Sequence, residues 1–168
     1  VKTRGIWGEI QLGNILEQLL TIDQYESNVN TNPHTKDRVE FALKLPGKSV
    51  EVDNIWLPID AKFPQEDYQR LLDAQEKANI EEIDKYTKAL ENRVKLEAKT
   101  IAEKYICLPY TTDFAILFLP TEGLYAEILR IPYLCDLLIR EYKIIIAGPT
   151  TLSALLNSLQ MGFRTLAI

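Results

Sequence analysis

Histidine occurs once in the 168 residues, at position 34, and cysteine only twice, at 107 and 135. That scarcity removes the imidazole and thiolate sets that hold structural zinc, so no zinc site organises this fold. His34 stands in the turn-like TNPHT. The cysteines sit in YICLP and YLCDLL, where they read as two small buried hydrophobes in a reducing compartment. No apolar run approaches the roughly 18 residues of a membrane span, and no basic, apolar, small-residue leader suggests secretion. A cytoplasmic setting without membrane contact by this segment is the expectation. An excess of positive charge is missing too: 19 Lys and Arg face 24 Asp and Glu, for a net charge of −5. That balance argues against nucleic-acid binding by bulk electrostatics and leaves room only for a local basic groove.

What is present is the composition of an ordinary globular domain, 46% hydrophobic and 26% charged. The length suits one domain spanning 1–168 with a substantial core. The opening VKTRGIWGE and the ending GFRTLAI suggest a segment of a longer parent, which leaves a membrane tether or coiled coils in that parent open.

Periodicity predicts the elements. Ile6, Ile10, Ile15, Leu16, Leu19 and Leu20 recur at helical spacing and predict a helix over 5–20. DQYESNVN suits a short edge strand, and NTNPHTKD a loop. RVEFALKL alternates, with Val39, Phe41, Leu43 and Leu45 on one face and Glu40, Ala42 and Lys44 on the other. PGK then turns the chain, and 49–63 returns as a strand, irregular near Asp53-Asn54. Residues 65–105 are charged, helical and free of Gly and Pro. Their apolar positions hold no single heptad register, so two helices, or one bent near Asn79, are expected. DFAILFLP and KIIIAG are buried strands. The helical stretch 121–142 breaks near Pro132, and 149–168 is a helix with Pro at its start. The order α-β-β-β-α-α-β-α-β-α gives an α/β fold whose mixed sheet is flanked by helices.

The segment IWLPIDAKFP carries the chemistry. Side chains alternate along a strand, so Asp60 and Lys62 share a face of an otherwise apolar run. Charged groups are seldom buried unless paired or bound to metal, so this is either a structural ion pair or a site. With RVEFALKL as neighbour, Glu40 lies beside Asp60, and two carboxylates on adjacent strands make hard oxygen ligands for Mg²⁺ or Mn²⁺. Lys62 is then placed to handle the attacking water and a substrate phosphate, while the metal acidifies the water and neutralises phosphoryl charge. Glu9, in WGEIQL, offers a further acid. One lysine cannot neutralise three buried carboxylates, which favours a cation over a purely structural pair.

A helix acid, a strand acid and Asp-X-Lys form the active-site pattern of the PD-(D/E)XK nuclease superfamily. GIWGEIQLGNILE, RVEFALKLPG, IDAKFP, FAILFLPTEGLYAEIL and IIIAGPTTLSALL together resemble the central domain of the RmuC family of DNA recombination proteins. The resemblance implies a restriction-endonuclease-like fold and a metal-dependent DNA nuclease in recombination, limiting genome rearrangement. Carried over by position, Asp60 and Lys62 match the Asp-X-Lys pair and Glu9 the helix acid. Glu40 stands where the family usually has Asp after Arg-Pro, here RVE.

The alternative from another class is a non-catalytic DNA-structure-binding or scaffolding domain that keeps the nuclease fold. A third is an interaction module, with homo-oligomerisation through the helices around 65–105. Trp7 and Trp56 are expected as core aromatics. Lys85, Lys88, Arg93, Lys95 and Lys99 alternate with acids and are expected on a solvated face, a DNA-backbone groove being the alternative. Glu122 is expected as a helix-start acid favoured by the dipole.

Overall fold

The alternation of RVEFALKL is realised as the long strand β2 (Val39–Ser49), paired antiparallel with β3 (Val52–Ala61). This computed structural model describes residues 2–49 and 52–166. A helix α1 (Lys2–Leu19) and the edge strand β1 (Tyr25–Val29) precede the pair. After it come α2 (Gln65–Glu76), α3 (Ile80–Tyr105) and β4 (Ala115–Phe118). Then follow α4 (Glu122–Leu129), α5 (Leu134–Leu137) running into a π-helical turn at Leu138–Tyr142, β5 (Ile144–Ala147) and α6 (Pro149–Leu166). The five strands lie in sequence order in one sheet, antiparallel through β3 and parallel from β3 to β5. The expected mixed α/β architecture is therefore present. No helix among the described residues is long and apolar enough to cross a membrane.

Strand alternation sorts the core into two layers. Leu57, Ile59, Ile116 and Phe118 pack with Leu12 and Leu16 of α1, Leu20 just beyond its end, and Leu152 and Leu156 of α6. Ala115, Leu117 and Leu119 point the other way, onto Leu71 of α2, Leu90, Val94 and Ile101 of α3 and Leu124 and Ile128 of α4. Two successive crossovers that advance the same way across the sheet put their helices on one face, because such connections are right-handed.

The break at Asn79 has a local cause. Ala78 is held at φ 51°, and the amides of Ala78 and Asn79 donate back to Gln75 and Ala74 at 3.0 and 3.1 Å, closing α2 with the pair of bonds that ends many helices. Asn79 Oδ1 then accepts from the Glu82 amide at 3.2 Å and starts α3. Tyr133, at φ 63°, similarly separates α4 from α5 beside Pro132. Glu122 does more than the dipole of its own helix asks. Thr121 caps α4, while Glu122 Oε1 accepts from the Thr150 amide at 2.6 Å and satisfies the start of α6.

Several expectations are corrected. The inward stripe of α1 is Leu12 and Leu16, continued by Leu20 just beyond the helix, whereas Ile6 and Ile10 are 55% and 53% exposed. The reason is Gly8. A Cβ there would lie 2.9 Å from Pro120 Cγ and 3.7 Å from Ala61 Cβ, so the helix seats directly on the sheet at Gly8 and turns Ile6 and Ile10 outward. Trp7 is no core aromatic either, being 40% exposed. Both cysteines are only half-buried. Pro46–Lys48 do not turn the chain but continue β2; an extra residue on that strand, between Pro46 and Ser49 opposite Asn54 and Val52, makes a bulge.

Gly8→Ala gives a directional test. In an open helix position alanine gains about 1 kcal/mol over glycine. Here the proline ring must move, and overpacking of this kind costs about 1–3 kcal/mol. The variant should melt below wild type in a thermal scan; a rise in Tm would contradict the close seating of α1.

Candidate functional site

Asp60 and Lys62 leave one face of β3 at its C-terminal end, where β2 begins. The pairing Phe41–Ile59, continued by one step, sets Glu40 opposite Asp60. On its other side Asp60 is in register with Leu117 of β4, and the Lys62 amide donates to the Phe118 carbonyl at 3.0 Å. Asp60 thus sits on the central strand, 2% exposed. A buried carboxylate needs compensation, and Lys62 Nζ lies 3.1 Å from its Oδ2. Asp60 Oδ2, like Glu40 Oε2, is buried without a well-aligned hydrogen bond, so the Lys62 contact compensates it chiefly by charge.

The charges are unbalanced towards acid. Burial, then the Asp60 charge and to a smaller extent Glu9, push the Glu40 carboxyl up to about 9, against the opposing pull of Lys62. Burial alone would depress Lys62; Asp60, then Glu97 and Glu40, hold its ammonium above the ordinary lysine value. Lys62 is therefore a fixed cation at neutral pH. Glu97 Oε2, from α3, stands 3.9 Å from that ammonium.

Glu9 comes from the opposite helical layer. It is exposed on α1 and lines, with Ile6, Glu40, Ala61, Lys62 and Phe63, an opening of about 370 Å³. The four residues expected from sequence are therefore gathered at one end of the sheet, Glu40, Asp60 and Lys62 tightly and Glu9 at the rim. Among the described residues no three His, Cys, Asp or Glu side chains converge into one metal-holding group. The fit to a metal rests on two carboxylates with buried oxygens that lack an aligned hydrogen bond. That suits Mg²⁺, which keeps several waters and is commonly held by one or two carboxylates plus substrate phosphate.

Two residues were missed from the sequence. Glu97 and Tyr105 lie on the sheet-facing stripe of α3, spaced i and i+8 about Ile101. Burial raises the Tyr105 phenol, with Asp60 adding, Lys62 opposing, and Asp37 and Glu40 adding further. The spacing with buried Ile101 was a usable signal; the partner was not, since it lies on a distant strand. Three basic residues of α3 are engaged with acids, in keeping with a solvated face: Lys88 with Asp84 at 3.1 Å, Lys95 with Glu91 at 3.5 Å, Arg93 with Asp67 at 3.5 Å.

A family model described as "RmuC family" matches residues 1–168. The chain is 58% identical over 168 residues, all of it, to a DNA recombination protein RmuC homolog of Xylella fastidiosa (strain Temecula1 / ATCC 700964), of which it covers 37%. It is 33% identical over 161 residues, 93% of the chain, to a homolog of the same name from Chlamydia trachomatis, covering 34% of that protein. With the DNA recombination protein RmuC of Escherichia coli (strain K12) it shares 28% identity over 173 aligned residues, 97% of the chain and 34% of the relative. The chain thus spans little more than a third of these relatives' length. No solved structure matches it.

Proposed function

The chain belongs to the RmuC family, and from that premise we propose that it is a metal-dependent nuclease domain acting on DNA in recombination. The observation that carries the reading is a pair of buried carboxylate oxygens without an aligned hydrogen bond, Glu40 Oε2 and Asp60 Oδ2, on adjacent strands beside one ammonium. The relatives' shared description as DNA recombination proteins supplies the substrate class.

Glu40 and Asp60 would hold Mg²⁺ or Mn²⁺, with Glu9 reaching the metal shell through water from the rim. A bound divalent ion supplies Lewis-acid polarisation of the phosphoryl group and a more acidic water. Lys62, protonated throughout the neutral range, cannot act as a general base; it orients the attacking water through a hydrogen bond and stabilises the charge that builds on the phosphoryl oxygens. Asp60 aims the ammonium, and Glu97 keeps it from folding back along the strand.

The direct test is thermal melting with and without Mn²⁺ on wild type and Asp60→Ala. A ligand bound only by the folded state stabilises by about 2.7 kcal/mol at a hundredfold excess over Kd, about 5–10 °C for a domain of this size. Wild type should show the rise and Asp60→Ala should not. The missing third convergent ligand favours a second reading, a DNA-binding scaffold without turnover. No shift in either protein at millimolar Mn²⁺ would make that scaffold the leading account.

A further inference from the structure

Beside the carboxylates runs a strip that the chemistry above does not use. Phe63 lines both the opening next to Glu40 and an adjoining cavity of about 360 Å³ that extends to Arg93 and Glu97; Gly5 and Lys62 line both as well. The two cavities are thus one groove that passes the catalytic lysine. Phe63 packs one side against the α2–α3 core layer. Trp7 lies against it with ring centroids 5.7 Å apart and planes tilted by 42°. Ile6 faces the opening next to Glu40, and a Cβ at Gly5 would meet nothing within 4 Å, so that end of the groove is open.

The aromatic pair does not serve to bury α1. Gly8, Leu12 and Leu16 do most of that, and Trp7 and Ile6 keep 40% and 55% of their surface exposed. Large apolar side chains left exposed together mark a surface that meets something apolar. In the interior of a duplex both faces of each base are covered by its neighbours. An aromatic ring can stack only on a base whose neighbour or partner has been removed, and every unpaired base offers such a face.

We propose that Phe63, backed by Trp7 and flanked by Ile6, is a stacking platform for an unpaired DNA base next to the phosphate that Lys62 contacts. The site then selects single-stranded or splayed ends over continuous duplex. This rests on the nuclease reading above and adds its substrate class.

The experiment uses fluorescence. The chain has two tryptophans, Trp7 and Trp56, so a Trp56→Phe background leaves Trp7 as sole reporter. Oligo-dT and a closed, end-free DNA dumbbell are titrated with Ca²⁺ in place of Mg²⁺. Oligo-dT should quench Trp7 and bind about tenfold or more tighter than the dumbbell. Phe63→Leu, which keeps apolar volume but removes the ring, should lose about tenfold in affinity for oligo-dT and leave dumbbell binding unchanged. Phe63→Tyr should retain the affinity. Because Phe63 also touches the core, Trp7→Ala at an exposed position repeats the test by anisotropy, with the same selective loss expected. Equal losses on both DNAs, or tight oligo-dT binding without quenching, would overturn the stacking platform; if Lys62-dependent cleavage persists in that case, the nuclease reading stands. No binding of either DNA would overturn both.

Discussion

Lys62→Ala should lower metal-dependent DNA cleavage by about a hundred- to a thousand-fold, the usual cost of removing one preorganised group aimed at developing charge. Asp60→Ala should lower it at least as far, and the two losses should differ in kind. Lys62 carries a held positive charge beside Asp60, with Glu97 and Glu40 near. Its removal leaves Glu40 and Asp60 in place with less competing positive charge, so the Mn²⁺-dependent rise in Tm should persist or grow. Asp60→Ala should lose cleavage and that rise together. Without metal, Lys62→Ala should also melt lower, because the 2%-exposed Asp60 is left uncompensated. A purely structural ion pair predicts another pattern, with lowered Tm in both variants and cleavage that falls only as the protein unfolds. Cleavage assays run well below the melting point of each variant separate the two. Intact metal-dependent cleavage in both variants would sink the assignment.

The hairpin that carries Glu40 and Asp60 was legible because its signals are local. Period-two alternation in RVEFALKL and the Asp-X-Lys spacing depend on strand geometry alone, and both survive in the register that sets Glu40 opposite Asp60. The breaks near Asn79 and Pro132 were legible for the same reason, since caps and backbone reversals are written in neighbouring residues. The orientation of α1 was not. Apolar residues lie all round its first turns, and the face turned to the sheet is chosen by a residue with no side chain, Gly8, against a proline far along the chain. The helical spacing that predicts α1 includes Ile6 and Ile10 and does not say which face they take; both are outside. Glu97 and Tyr105 escaped for a related reason: helical spacing shows that they share a stripe with Ile101, but only the crossover from β3 to β4 decides that the stripe faces Lys62. The residues singled out from sequence are thus brought together, while the groups from another layer that interact with their charge, Glu97 and Tyr105, were not foreseen.

That charge leads to the second large effect. At pH 8, with chelator present, Glu40→Gln should melt above wild type. Glu40 is held at about 9, against an ordinary 4.5, chiefly by burial and then by Asp60. Between those values the folded protein keeps a proton that the unfolded chain releases, so stability falls as pH rises through the window. The stabilising contribution is fully present below the unfolded value and is lost as pH passes the folded one. Glutamine copies the protonated carboxyl in shape and stays neutral at every pH, so the variant should match wild type near pH 4.5 and pull ahead as pH rises. A gain of about 1 kcal/mol or more, about 2–4 °C in Tm, is expected by pH 8. A divalent ion reverses the order, because it replaces the proton as the partner of Glu40 and Asp60 and binding must release that proton. Wild type should gain more from Mn²⁺ as pH climbs towards 9, and the variant should gain little at any pH. Melting curves of the two proteins from pH 5 to 9, with and without Mn²⁺, decide the matter. If the variant follows wild type at every pH, Glu40 does not carry the raised carboxyl, and the facing of Glu40 with Asp60 is wrong.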